Sequence, residues 1–290
     1  MTFLFARLYT LLYYLVLKTF HLKLKGLGIV QTLITRDHIL SFKGKKIYYN
    51  HKVQGSYDCL LIGKSNEPET HKFFSFLFTG SKLHHSFIDV GASIGEMVFG
   101  VSIYPCIKKI VAFEPRKECV AALQESKELN HEDRLIIIDK AVGVEEASVS
   151  FFNQASGSAS GLQKKKERYE REEVILQTTL DHELSSTLEN PVILIDVEGF
   201  EPEVIKGGLG FIANKDPLII FEYNEVSKKQ FHLTTIQDLL GDKFEFYRLR
   251  SDGKLDVDFE NTWNCVAVPR GSVFEERIQQ LIVPVQTINR

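Results

Sequence analysis

Short uninterrupted apolar runs recur along the second part of this chain: Phe87–Val90, Ile110–Phe113, Leu135–Ile138, Val192–Ile195 and Leu218–Phe221. Runs of that length, rich in β-branched residues and bounded by turn residues, predict strands buried on both faces of a parallel sheet. Segments of helical period lie between them. One carries Ile94, Val98 and Val101; another runs from Lys117 to Leu129; a third opens at Glu201-Pro202-Glu203 and closes at Gly207-Gly208. Strand and helix in alternation predict an α/β fold with right-handed crossovers. Phe244–Leu249, the Asp252-Gly253 turn and Trp263–Val268 predict a closing antiparallel pair.

Ala147–Phe152 and Glu173–Thr178 instead alternate apolar and polar residues, as an added hairpin would. Between them lie the small-residue loop Ala155–Gly161, a lid candidate, and a mixed-charge run from Gln163 to Glu173 that reads as a solvated face. Thr178-Thr179-Leu180-Asp181 reads as a helix start, and Ser272-Val273-Phe274-Glu275 as the cap of a final helix.

The first part of the chain is patterned differently. Residues 3–17 contain one charge, Arg7, and fall short of the roughly 20 apolar residues that span a bilayer. A signal peptide is disfavoured, because no small-residue cleavage site follows. Arg7, Thr10, Tyr14, Lys18, His21 and Lys25 form a narrow polar stripe on an apolar cylinder, predicting an amphipathic helix over residues 1–25. Such a helix fits a membrane interface, with Lys18, Lys23 and Lys25 near anionic head groups. It equally fits packing on its own domain or on a second subunit, as in a homodimer. Residues 26–80 carry strand-like runs (Ile39–Phe42, Lys46–Tyr49, Cys59–Ile62), a polar turn at Lys64–Pro68 and an aromatic helical patch, Phe73 to Phe78. They read as an α+β cap on a main domain of residues 81–270, with 271–290 a C-terminal helix and tail.

Composition is that of an ordinary globular chain: 290 residues, 44% hydrophobic and 25% charged. A net charge of −3 gives no field that recruits nucleic acid. Four scattered cysteines, Cys59, Cys106, Cys119 and Cys265, form no C-x-x-C pair. They argue against a zinc site or disulfide framework and fit a reducing, cytoplasmic compartment.

The candidate chemistry sits at the strand ends. Ser86 to Glu96 reads strand, glycine turn, helix, with the spacing D-x-G-x-x-x-G. Gly91 permits a sharp turn and Gly95 a close approach of helix to ligand, while Ser93 stands in the middle position that a pyrophosphate binder gives to glycine. An acid ends each successive strand: Asp89, Glu114, Asp139, Asp196 and Glu222. Open α/β sheets bind ligands beyond their strand carboxyl ends, so all five are expected in one crevice. Asp89 suits a ligand with amine or hydroxyl donors. Glu114 can accept two ribose hydroxyls, and Asp139 an adenine amino proton, with Ala141 leaving room for the ring. Asp139 as a plain surface acid is the alternative.

The motifs FIDVGASIGEM, IVAFEP, the AVG after the third strand, TTLDHEL and LIDVEGFEPEVIKGG resemble the FkbM-type methyltransferases over about Phe87 to Glu222. Two departures are Ser93, where that family often has Asn, and Phe200, where a small residue is commoner. The resemblance implies a Rossmann-like class I fold: a mostly parallel seven-stranded sheet with a closing antiparallel strand. It implies S-adenosylmethionine as cofactor, bound through Asp89, Gly91, Ala92, Gly95, Glu114, Pro115, Asp139 and Ala141. It also implies O-methylation of a hydroxyl on a sugar, glycolipid or secondary metabolite.

Methyl transfer requires an acceptor oxygen held about 3 Å from the methyl carbon, and a base to take its proton. Asp196 is expected near the reacting atoms and Glu198 as base or orienter, with Glu222 a third acid. At i and i+2 of an extended segment, Asp196 and Glu198 would share a face; the alternative for Glu198 is a helix cap. Magnesium on Asp196, Glu198 and Glu222 is conceivable, but no D-x-D spacing enforces it, and no metal is expected. Two other classes remain open on the residues alone. A nicotinamide-dependent oxidoreductase would also use a glycine turn and an acid after the second strand. A membrane-docked, non-catalytic binding module would use residues 3–25.

Overall fold

The computed structural model describes residues 2–20, 33–53, 59–153 and 171–283. The loop Ala155–Gly161, Lys23, Lys25 and most of the mixed-charge run lie outside these residues.

All five buried runs become strands of one sheet: β3 (His85–Val90), β4 (Ile107–Phe113), β5 (Leu135–Ile138), β9 (Pro191–Ile195) and β10 (Leu218–Glu222). The order is β12-β11-β13-β10-β9-β3-β4-β5, where β11 is Phe244–Leu249, β12 Leu255–Asp256 and β13 Asn264–Pro269. β5, β4, β3, β9 and β10 are parallel; β13 runs antiparallel between β10 and β11. The two-residue β12 adds an eighth strand at the edge, too short to leave a sequence signature.

Side-chain alternation sorts the strand residues onto two cores. Phe87, Ile110, Ala112, Val192, Leu194, Leu218 and Ile220 face one layer. Ile88, Val90, Val111, Ile193, Ile195, Ile219 and Phe221 face the other. Burial on both faces explains why these strands read as continuous apolar runs rather than alternating ones.

The segment before β3 covers the first face. A hairpin of β1 (His38–Phe42) and β2 (Lys45–Tyr49) lies on the helix Lys117–Asn130. Tyr48 N–H donates to Ser126 Oγ at 2.8 Å, Lys46 N–H to Asn130 Oδ1 at 2.9 Å, and the Lys45 ammonium meets Glu132 at 3.1 Å. Phe73, Phe74, Leu77 and Phe78, from the helix Pro68–Phe78, enter the same core. Cys59–Ile62 is a 3₁₀ turn rather than a strand. Its backbone closes on itself, Gly63 N–H donating to Leu60 and Lys64 N–H to Cys59, which leaves no edge for a ladder.

The expected hairpin of β7 (Ala147–Asn153) and β8 (Arg171–Thr178) forms, and β6 (Ala141–Val142) joins it in a separate three-stranded sheet. Thr179, one residue later than expected, caps the helix Leu180–Glu183 by accepting His182 N–H at 3.0 Å. Ser272 Oγ accepts Phe274 N–H at 3.4 Å just ahead of the last helix, Glu275–Gln279, whose N-cap position is Phe274. The amphipathic segment is a helix over Thr2–Phe20, longer than the apolar run alone.

Candidate active site

β3 ends in a turn of three left-handed residues, Gly91, Ser93 and Gly95, with φ of +94°, +48° and +92°. Glycine is required at Gly91 because the backbone of Asp196, at the end of β9, lies where a Cβ would stand. Gly95 serves packing rather than ligand: a Cβ there would meet Leu123 and Phe99. Ser93 holds its uncommon conformation because its N–H donates to Glu114 Oε2 at 2.8 Å. The other carboxylate oxygen accepts Arg116 N–H at 2.8 Å. Glu114 therefore couples the turn after β3 to the turn after β4.

A cavity of about 440 Å³ opens over these strand ends. Asp89, Gly91, Ala92, Glu114, Pro115, Ala141, Asp196, Glu198 and Glu222 all line it. Gly95 does not. Nor does Asp139, which is a correction. β5 is the edge strand, and the chain leaves it toward β6, so Asp139 stays on the surface while Lys140 and Ala141 face the cavity. Lys140 is itself tied to Glu183 at 2.7 Å.

The Asp196–Phe200 turn departs from the extended segment expected. Glu198 sits at φ +58° and Gly199 at +103°, so the two acids reach the cavity through a turn. The N-cap position of the helix Glu201–Lys206 belongs to Phe200, not to Glu198. The turn is instead held from within by Glu201, fully buried, whose Oε1 accepts the N–H groups of Val197 and Gly199, each at 3.2 Å. Its Oε2 is buried without a hydrogen-bond partner, and burial pushes this carboxyl up to about 7.

Sequence reasoning missed a second group of acids, Glu67 and Glu69 from the segment before β3 and Glu96 from the helix start after it. Glu67 lines the cavity and accepts hydrogen bonds from Thr70 Oγ1 and Asn264 Nδ2, both at 2.9 Å. Glu96 is buried and accepts from Ser65 Oγ, Asn66 N–H and Asn66 Nδ2. Burial works to raise the Glu96 pKa, but these bonds and His71 outweigh it, leaving it below the usual range. Glu69 and Trp263 complete that side. The only signal was the Glu67-Pro68 pair ahead of an aromatic helix.

So many carboxyls in one desolvated space cannot all ionise. Burial, then the charges of Glu67 and Glu114, pushes Asp89 up to about 8. Burial, then Glu198, Glu201 and Glu67, pushes Glu222 up to about 9. Asp196 rises well above an ordinary aspartate through burial and its neighbours Glu222, Glu67 and Glu198. Glu67 rises to about 7 through burial, against the two hydrogen bonds it accepts. A cationic ligand relieves this repulsion, whereas a phosphate would add to it. Among the described residues no group of three or more His, Cys, Asp or Glu is arranged to hold a metal ion.

The strand order and this cleft define a Rossmann-like fold with its ligand site at the strand carboxyl ends. The Methyltransferase FkbM domain matches residues 89–251, more than half of the chain, and the chain belongs to that family. Among solved structures, a methyltransferase FkbM from Methylobacillus flagellatus KT is 17% identical with a TM-score of 0.45; the match covers 75% of this chain and 53% of that one. Trm5b from Pyrococcus abyssi is 12% identical, TM-score 0.42, with 80% and 54% covered. TYW2 from M. jannaschii, in complex with AdoMet, is 15% identical, TM-score 0.43, with 80% and 84% covered. The chain thus spans about half the length of the first two. No curated protein matches it by sequence.

Membership of this methyltransferase family implies S-adenosylmethionine as the cofactor. The residues present fit that group. The acidic walls suit a sulfonium and an ammonium, Glu114 keeps lone pairs free beyond its two backbone bonds, and Phe113, Pro115, Ala141 and Val142 give an apolar surface for a base.

Proposed function

We propose that this methyltransferase acts on a hydroxyl group of a small molecule or glycan: a sugar, a glycolipid or a secondary metabolite. The observation supporting this is the convergence of Asp196, Glu198 and Glu222 on one cavity, where burial and the neighbouring acids raise the proton affinity of Asp196 and Glu222. S-adenosylmethionine, once bound, supplies an electrophilic methyl group. The chain's task is then to hold a neutral alcohol and remove its proton.

A carboxylate with a raised proton affinity is, once ionised, a stronger base for that proton. Asp196 fills that role in this reading, with Glu198 beside it as base or orienter and Glu222 held in place by Asn224 Nδ2 and Ser227 Oγ. Asp89 and Glu114 orient the cofactor, together with the backbone of Gly91, Ala92 and Pro115. Phe200 and Trp263, which line the same cavity, offer apolar faces to the acceptor.

The test is transfer of isotopically labelled methyl from S-adenosylmethionine to a panel of sugars, glycolipids and hydroxylated metabolites. A methyl ether in the product, identified by mass spectrometry, supports the reading. Methylation confined to amine or carbon acceptors overturns it.

A further inference from the structure

The helix Thr2–Phe20 presents two opposite faces. One packs on the domain: Ala6 and Thr10 are fully buried, the Phe3 ring stacks on His38 with centroids 3.6 Å apart, and the Cys59 thiol meets the Tyr14 hydroxyl at 2.8 Å. The other carries Leu4, Phe5, Leu8, Leu11, Leu12 and Leu15, each between 47% and 63% exposed. Spacings of three and four gather these six into one stripe. Contiguous apolar surface of this kind marks an interaction site.

Charge indicates what covers it. The helix holds two charged residues, Arg7 and Lys18, both exposed. The sequence has no acid before Asp37, while Arg7, Lys18, Lys23, Lys25 and Arg36 all precede it in a chain of net charge −3. A two-fold dimer would set this patch against its own copy, leaving the helix cations with no acid on the partner helix to meet. An anionic lipid surface satisfies both halves, acyl chains taking the leucines and phosphates the cations. By length and composition the helix could cross a bilayer. Its packing through Phe3, Ala6, Thr10 and Tyr14 ties it instead to the domain.

We propose that the helix Thr2–Phe20 docks this protein on an anionic membrane surface, lying in the headgroup region with its leucine stripe toward the acyl chains. The experiment sediments the full chain with vesicles of phosphatidylcholine alone or mixed with phosphatidylserine. Binding to the mixed vesicles should exceed binding to the neutral ones by on the order of tenfold, and should weaken with salt. Leu8→Glu with Leu11→Glu, both at exposed positions, should reduce binding by on the order of tenfold or more while melting temperature and S-adenosylmethionine affinity stay unchanged. Arg7→Glu with Lys18→Glu should remove the preference for phosphatidylserine. Equal or absent binding to the two vesicles overturns the proposal. So does a dimer in sedimentation velocity that the Leu8/Leu11 variant converts to monomer.

Discussion

Gly91 and Asp196 meet backbone to backbone: a Cβ on Gly91 would overlap the carbonyl oxygen of Asp196. The turn that shapes the cofactor end and the turn that carries the proposed base are therefore seated on each other. Gly91→Ala should cost more than about 2 kcal/mol, from its left-handed φ and from displacement of β9's end. Urea unfolding measures the stability. Turnover should fall further than stability alone accounts for, because Asp196 moves.

Glu114 holds Ser93 and Arg116 through one carboxylate oxygen each. Glu114→Gln keeps one acceptor and turns the other into a donor facing an N–H. The bond lost lies within the protein and is worth about 1.5–3 kcal/mol of stability, and S-adenosylmethionine affinity should fall as the turn it holds loosens. Titration calorimetry reads this directly. An unchanged affinity would remove Glu114 from the cofactor site.

Asp89 and Asp196 should separate binding from chemistry. Asp89→Ala should abolish cofactor binding with the fold intact, as judged by circular dichroism and calorimetry. Asp196→Asn should bind the cofactor and lose turnover; wild-type turnover in that variant would refute its role.

The raised carboxyls also make stability depend on pH. Glu201 and Glu67 titrate near 7, Asp89 near 8 and Glu222 near 9 in the folded chain, against 3.8 for Asp and 4.5 for Glu in their ordinary state. Between those limits the folded state binds more protons than the unfolded one, so stability falls as pH rises. The melting temperature of the cofactor-free protein should decline from about pH 6 to about pH 9. Glu201→Gln keeps the acceptor for Val197 and Gly199 but cannot ionise. It should match wild type at the acidic end and exceed it at the alkaline end. Glu201→Ala removes both bonds and should cost about 2–4 kcal/mol at the acidic end, and less as the pH rises.

The parallel sheet was legible because its strands are buried on both faces, so Val192–Ile195 and Leu218–Phe221 have no polar positions to obscure them. Four of the five strand-end acids reach the cleft for the same topological reason. Asp139 does not, because nothing in its own neighbourhood reveals that β5 is the edge and that the chain swings away. Glu198 defeated a local rule: a left-handed residue that is not glycine is imposed by Glu201, three residues further on and hidden in a helix start. Glu67 and Glu96 were illegible as site residues because their meaning depends on β1, β2 and the helix Pro68–Phe78 folding back over β3. Cys59–Ile62 shows the limit of reading short apolar runs, since burial without a pairing edge gives a turn as readily as a strand.

The β1–β2 hairpin carries one more consequence. It is stitched to the helix following Glu114 through Ser126, Asn130 and Glu132, and it roofs the layer containing Phe74 and Phe87. The family match starts only at residue 89. Trimming the chain to that matched portion would cut away β3's own first residues and bare the aromatic layer to water. The family boundary therefore falls inside a central strand rather than at the edge of a self-contained core.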